Sequence, residues 1–427
     1  MLNITDKTKC CGCSACFNIC PKEAIKMEYD SEGFLYPKVD KNKCIKCRLC
    51  LKVCPIMERQ MHRGMDVLKY GNNKNNRVLE VYGAKNKNVD EQLKSSSGGM
   101  FSIFANYVLE QNGIVFGASF DNNWKVVHKY IYIKEDLDVL RRSKYVQSDI
   151  NITYKQAKQF LDEGKFVLFT GTPCQIAGLK SFLQKDYENL MLVDLICWQV
   201  ASPLVWKNFL EENFNTEEIN SIDFRDKTYG WDKSIMSLSL KNNIKYPKLP
   251  GLYNLLPKKI KIFLSLRKYA LSYRKGCLSG LFSRPSCHKC SFKGDRYSDF
   301  TIGDLWGVKE ILPIMYDKKG VSVLTINSQK AKDIFEKIKN NIEYKQISYD
   351  DMVKYNPAFI SSAKSHPKRE EFFKRFATMR DGCMDELRYG NYNYKRESLN
   401  KLISELLNEK PLIVKLFKKV IKQITAK

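Results

Sequence analysis

Eight of the chain's 15 cysteines fall into two runs of identical spacing. Cys10, Cys13, Cys16 and Cys20 precede Pro21, and Cys44, Cys47, Cys50 and Cys54 precede Pro55, each as C-x2-C-x2-C-x3-C-P. Two-residue gaps let three thiolates of one tight loop reach three corners of a cube, and in this pattern the fourth cysteine of each run ligates the other centre. The spacing assigns Cys10, Cys13, Cys16 and Cys54 to one 4Fe–4S centre, and Cys44, Cys47, Cys50 and Cys20 to a second. Zinc sites instead use separated C-x2-C pairs. A disulfide framework needs an oxidising compartment, which nothing in the sequence suggests. The chemistry expected of these eight residues is one-electron transfer.

Further chemistry-bearing residues follow. Lys94-Ser95-Ser96-Ser97-Gly98-Gly99 precedes an amphipathic helical pattern. Its hydroxyls and free N–H groups suit a phosphate, while N-capping by Ser97 is the plainer reading. Thr170-Gly171-Thr172-Pro173-Cys174-Gln175 lies between an apolar strand and a helix, which puts Cys174 at a helix N-terminus. A nucleophile, a metal ligand and a small buried residue at a turn all fit that position. Cys287-His288-Lys289-Cys290 is a C-x2-C pair, the usual form of a metal or redox pair in a reducing compartment. It needs two more ligands, and the unassigned thiols are Cys11, Cys174, Cys197, Cys277 and Cys383. Cys174 and Cys197 both follow apolar strands, so both are expected at a sheet's C-terminal edge. With Cys287 and Cys290 they make a third 4Fe–4S site. Zinc on the same four is the alternative, and Cys277 is the reserve ligand. Phe224-Arg225-Asp226-Lys227 offers two fixed charges for an anionic substrate or a flavin phosphate, or forms a surface salt bridge. Asp299 to Gly307 reads as a strand running into a turn, its acids free to contact a ribose or a flavin ring or to cap the turn.

The elements that must position these residues divide the chain. Residues 1–58 form an α+β ferredoxin-type module, with a short helix and a hairpin between the cysteine runs. Residues 59–78 are a polar, Gly- and Asn-containing linker. Residues 79–365 alternate strand and helix patterns, as expected of a larger α/β domain with a mixed sheet. VLEVYGAK, IVFGASF, KVVHKYIYI, KFVLF and LMLVDLIC read as strands, and helices are expected over 98–111, 154–163 and from Gln175. Residues 366–427 form a helical tail. After Pro411 its apolar residues recur at helical spacing opposite Lys415, Lys418, Lys419 and Lys422, so residues 411–427 either lie on an anionic membrane or dock on the protein itself.

The formal net charge is +25; three four-thiolate clusters at about −2 each leave roughly +19. No helix-turn-helix, zinc-finger or aromatic RNA-binding signature accompanies that charge, so nucleic acid is not the expected partner. An acidic electron carrier or partner subunit, an anionic organic acceptor, or a membrane surface fits it equally. The opening MLNITDKTKCCG has no apolar signal core, and no apolar run reaches the 18 residues of a membrane span. The expected location is the cytoplasm, with peripheral contact at the inner membrane face if the tail binds lipid.

Seven segments occur in one order: KSSSGGMF (94–101), SKYVQSD (143–149), LFTGTPCQIAGLKSFL (168–183), VDLIC (193–197), FRDKTYGW (224–231), RPSCHKCSFKGDRYSDFTIGDLWG (284–307) and GVSVLTIN (320–327). The series resembles the beta subunit of coenzyme F420 (deazaflavin) hydrogenases and dehydrogenases, a group that also includes hydroxymethyl-chlorophyll reductase. The resemblance spans roughly residues 79–360 and implies that the α/β domain binds FAD beside a 4Fe–4S cluster. It implies electron flow from the ferredoxin-type module through the clusters to FAD, and on to a deazaflavin-like or sugar-linked acceptor. Ser96, Ser97, Gly98 and Gly99 would hold the flavin, with Lys144, Tyr145, Gln147 and Thr172 nearby. Cys174, Cys197, Cys287 and Cys290 would be the cluster ligands. Members often read Cys-His-Gly after the VDLI strand, whereas here Cys197 is followed by Trp198-Gln199. The family's spread through surface-polysaccharide loci implies a role in polysaccharide biosynthesis. Two other readings stand beside this one: an electron-transfer subunit with no substrate of its own, and a non-redox assembly factor for a polysaccharide complex.

Overall fold

The computed structural model describes residues 2–57, 78–241, 245–246, 271–294 and 296–378. The expected linker, Cys383 and the basic helix of residues 411–427 lie outside the described residues, apart from Val78. The chain divides into a unit spanning Met1–Met384 and a second spanning Asp385–Lys427, and every described residue belongs to the first.

The expected strands form. Thirteen are described: β1 (Ile25–Tyr29), β2 (Leu35–Val39), β3 (Glu80–Asn86), β4 (Ile114–Phe120), β5 (Val126–Ile131), β6 (Val167–Gly171), β7 (Leu190–Leu195), β8 (Ile219–Asp226), β9 (Ile235–Leu240), β10 (Lys245–Tyr246), β11 (Phe300–Asp304), β12 (Ser322–Ile326) and β13 (Ile342–Gln346). Eight make one mixed sheet in the order β13-β3-β12-β11-β7-β6-β4-β5. Its inner strands β11, β7, β6 and β4 are parallel, and the flanking pairs are antiparallel. Parallel strands need both faces covered, which is why β6, parallel to both its neighbours, is buried along its length. Leu168, Met191, Val193 and Phe300 pack on the helices Met100–Leu109 and Gln329–Ile338. Val167, Phe169, Leu190 and Leu192 face the other way, onto the helices Thr153–Asp162 and Pro173–Leu183. Each such apolar side chain contributes about 1.5–3 kcal/mol on burial.

The cysteine-rich module docks on that second face. Cys11, Cys13, Ala15, Val53 and Ile56 share its core with Phe169 and Ile176. The hairpin β1–β2 forms as expected. The helix expected beside it between the runs does not form. The helical turns are Ala15–Ile19 and Leu49–Lys52, inside the runs themselves. Glu23 takes a left-handed conformation (φ 48), which stops helix propagation after Pro21. The helix Arg369–Thr378 belongs to the body, where Arg369 grips Glu32 (Nη1–Oε1 3.0 Å) and Phe373 packs on Phe34. Among the described residues no helix is long and apolar enough to cross a membrane.

Candidate functional site

The two cysteine runs fold into the same loop twice. Gly12 and Lys46 (φ 68 and 56), then Ser14 and Arg48 (both φ 62), occupy equivalent left-handed positions that curl each loop around its thiols. Cys10, Cys13 and Cys16 share a small cavity with Cys54. Cys44, Cys47 and Cys50 share another with Cys20. Cys54 thus stands with the thiols of the first run and Cys20 with those of the second. The first cavity is the deeper: burial pushes the Cys16 and Cys54 thiols up, whereas Cys47 of the second is exposed. The Ala24 N–H donates to Cys20 Sγ at 3.3 Å, a backbone dipole aimed at a ligand sulfur.

The third cysteine set converges from three elements. Strand β6 ends at Gly171. Thr172 and Gln175 then form a capping box that starts the helix Pro173–Leu183 and fixes Cys174 in its first turn. Cys197 follows β7, and Cys287 and Cys290 sit on and just after the turn Pro285–Lys289. All four line one pocket together with Cys11, Arg284, Lys293 and Arg296. Burial pushes Cys197 and Cys290 up and Cys287 up to about 12. Cys174 is raised first by its hydrogen bond with Cys11 and then by burial. Four half-buried cysteines that line one pocket are, by residue type and number, a donor set that fits a 4Fe–4S cluster. Cys277 stands apart, its Sγ donating to the Tyr145 carbonyl at 3.6 Å.

Beyond this pocket lies a cavity of about 580 Å³ at the C-terminal ends of β6, β7 and β11. That is where open α/β sheets bind ligands. Ser96, Ser97, Gly99, Lys144, Tyr145 and Thr172 all line it. Ser96 Oγ accepts the Ser143 N–H at 2.8 Å, and Ser97 Oγ donates to the Val321 carbonyl at 3.0 Å. The helix N-cap is Gly99 (φ 91) rather than Ser97, and no side chain caps it. Lys144 Nζ donates to the carbonyls of Val139 and Arg141, and burial pulls its ammonium down to about 7.

Gly98 and Gln147 are not brought to the cavity. The Gly98 N–H is bound to Ser322 Oγ at 2.9 Å, and a Cβ there would meet the Ala84 carbonyl at 2.5 Å. Gln147 is buried against the cysteine module, its Nε2 donating to the Cys11 carbonyl at 3.1 Å. Its neighbours in sequence line the cavity, and strand-like alternation turns it the other way. Arg225 makes a buried pair with Asp304 (Nη1–Oδ2 2.6 Å) rather than a surface salt bridge, and Trp231 Nε1 donates to the same carboxylate at 2.8 Å. Lys227 donates to the carbonyls of Gln92 and Ser97 at 2.9 and 2.7 Å, so it anchors the serine loop.

Two further kinds of residue in the cavity escaped the sequence reading. His128 of β5 donates from Nε2 to the Thr170 carbonyl at 3.0 Å, and its Nδ1 has no partner among the described residues. Burial pulls this imidazole down to about 4. Trp198 and Trp306 line the cavity and remain 39% and 41% exposed, as do the apolar Leu195 and Leu278 at 41% and 49%. Wide apolar faces left open in a concave site mark ligand contact. The one available signal was Trp198, which stands where relatives often read otherwise.

Residues 164–350 match the model of the C terminus of the coenzyme F420 hydrogenase/dehydrogenase beta subunit. Residues 9–57 match the 4Fe-4S dicluster domain. No curated protein sequence matches the chain. Among solved structures, a chain of the F420-reducing NiFe hydrogenase complex from Methanosarcina barkeri is similar with a TM-score of 0.45 and 15% identity, over 74% of this chain and 98% of that one. Residues 164–350 are thus similar to the C-terminal part of the coenzyme F420 hydrogenase/dehydrogenase beta subunit, and residues 9–57 to a 4Fe–4S dicluster domain.

Proposed function

We propose that the chain is an iron–sulfur flavoprotein that conducts electrons between a partner protein and an anionic organic acceptor. The observation that carries this reading is a row of four cavities with shared walls. Leu2 lines both cysteine cavities of the module. Cys11 and Ile56 line the deeper one and the third cysteine pocket. Thr172, Gln175, Cys197, Trp198, Val200 and Ala358 line that pocket and the large cavity. When bound, 4Fe–4S clusters carry single electrons and a flavin joins them to two-electron chemistry.

The protein's own residues supply position and electrostatics. Exposed Cys47 marks where a redox partner approaches, and the +25 charge favours an acidic one. Trp198, Trp306 and Leu278 offer apolar faces to a planar ring. Ser96, Lys144 and Arg225 offer polar groups to a phosphate or an acceptor carboxylate. At about 580 Å³ the cavity lies within the roughly 300–1,000 Å³ of ligand pockets. Row and cavity together favour a cluster over zinc in the third pocket, because zinc has no redox chemistry to pass along the row.

Anaerobic purification with iron, acid-labile sulfide and flavin counted per chain tests this. About 12 Fe and one flavin are expected. About 8 Fe and no flavin after reconstitution would remove the third cluster and the flavin together.

A further inference from the structure

Five arginines are buried among the described residues: Arg141, Arg225, Arg284, Arg296 and Arg369. Four are paired with carboxylates: Arg141 with Glu91, Arg225 with Asp304, Arg296 with Asp194 and Arg369 with Glu32. Arg284, the most deeply buried at 0% exposure, pairs with none among the described residues. Its guanidinium donates to the Cys10 carbonyl (2.9 Å), Gln147 Oε1 (2.8 Å) and the Leu35 carbonyl (3.0 Å), all neutral acceptors. Its fourth contact is Cys10 Sγ at 3.7 Å. The rings of Tyr36 and Phe34 close it off, 4.2 and 5.4 Å from the guanidinium carbon.

A buried cation without a counter-charge is strongly disfavoured and is not retained unless something negative sits beside it. The groups within reach that turn negative on binding metal are cysteine thiols. Arg284 touches Cys10 of the deeper module site, lines the third cysteine pocket and precedes Cys287 by one tight turn, the Cys287 N–H donating to the Arg284 carbonyl at 3.0 Å. Gly12 makes the approach possible. It has φ 68, and a Cβ there would fall 2.8 Å from Arg284 Nη1 and 2.7 Å from Gln147 Nε2.

We propose that Arg284 is the shared counter-cation of two iron–sulfur centres, the one held by Cys10, Cys13, Cys16 and Cys54 and the one held by Cys174, Cys197, Cys287 and Cys290, and that its charge holds both at higher midpoint potential. The centre held by Cys20, Cys44, Cys47 and Cys50 is not in contact with it. Net charge and hydrogen bonds at the sulfurs are what set such potentials. Arg284 acts through the ligands as a positioning and charge-compensating residue. The inference rests on the cluster reading of the cysteines and not on the flavin.

The test compares Arg284→Gln and Arg284→Lys with the wild type, anaerobically purified, by iron content and by redox titration followed by EPR. Wild-type protein without iron would remove the cluster reading itself, before any variant is measured. With iron present, Arg284→Gln is expected to lower the midpoints of the two contacted centres and move the third much less, while Arg284→Lys stays near wild type. Iron loading in the lysine variant but not in the glutamine variant also supports the proposal, since the lysine keeps the charge. Three outcomes overturn it. They are unmoved midpoints in an iron-replete Arg284→Gln, an equal fall in both variants, or failure of both to load iron, which would show that the guanidinium's hydrogen-bond fork matters and its charge does not.

Discussion

Gly178 lies so close to Cys13 that a Cβ on the glycine would fall 2.8 Å from the cysteine Cβ and 3.0 Å from its Sγ. Tyr154 Oη would also be 3.0 Å away. Absence of a side chain at this one helical position lets the cysteine module seat on the sheet's helical face, so that module and α/β domain share one core.

Gly178→Ala is therefore expected to act as an overpacking change costing about 1–3 kcal/mol. The melting temperature should fall, and iron should be lost from the centre that includes Cys13. Unchanged iron and melting would mean that the module tolerates displacement.

Crossed ligation makes a pairwise prediction. Cys20→Ser should alter the same EPR signal as Cys44→Ser, and Cys54→Ser the same signal as Cys10→Ser, following the two cavities. Grouping Cys20 with Cys10 would show uncrossed loops. Cys277→Ala should leave the iron count unchanged, because this thiol faces the Tyr145 carbonyl and not the other four.

The pair Arg225–Asp304 is buried, so removing one partner strands a charge. Asp304→Leu is expected to cost about 3–5 kcal/mol in chemical denaturation, and the double change with Arg225→Met to recover most of it. A double variant no more stable than Asp304→Leu would show that packing, not charge, dominates. Flavin content, read separately, reports whether the pair also serves the cavity.

His128 sets a pH dependence. Its folded value, about 4, lies below the usual 6.5 because burial disfavours the imidazolium. Between these values the unfolded chain binds a proton that the folded chain refuses, so this contribution is complete above pH 6.5 and is lost as pH falls towards 4. The full loss is roughly 3 kcal/mol. Melting temperatures from pH 7 to 5 should fall more steeply in the wild type than in His128→Gln. Parallel curves would show that the imidazole gains a proton without penalty.

Much of this was legible locally. Ligand spacing within a loop depends on a few neighbouring dihedrals, so both cysteine runs and their crossing followed from C-x2-C-x2-C-x3-C-P. Cys174 at a helix start followed from its loop's place between an apolar strand and a helical pattern. The alternation of apolar residues placed the strands, and the mixed sheet emerged with them. The helix expected between the runs failed because no hydrophobic period there outweighs the left-handed turn at Glu23.

Other assignments depended on which surface met which. Gln147 and Tyr145 are two residues apart, yet one holds the Cys11 carbonyl and the other lines the cavity. Cys197 and Cys277 were interchangeable as ligands until β7 carried Cys197 to the third pocket and a helix carried Cys277 to the Tyr145 carbonyl. Short-range geometry is written in residue type and spacing. Contacts such as Arg284 on Cys10, 274 positions apart, depend on how whole layers pack. The sequence by itself determined the spacing of the thiols and which segments were strands. Tertiary structure alone decided that the three sites stand in a row, and that an unpaired arginine lies between two of them.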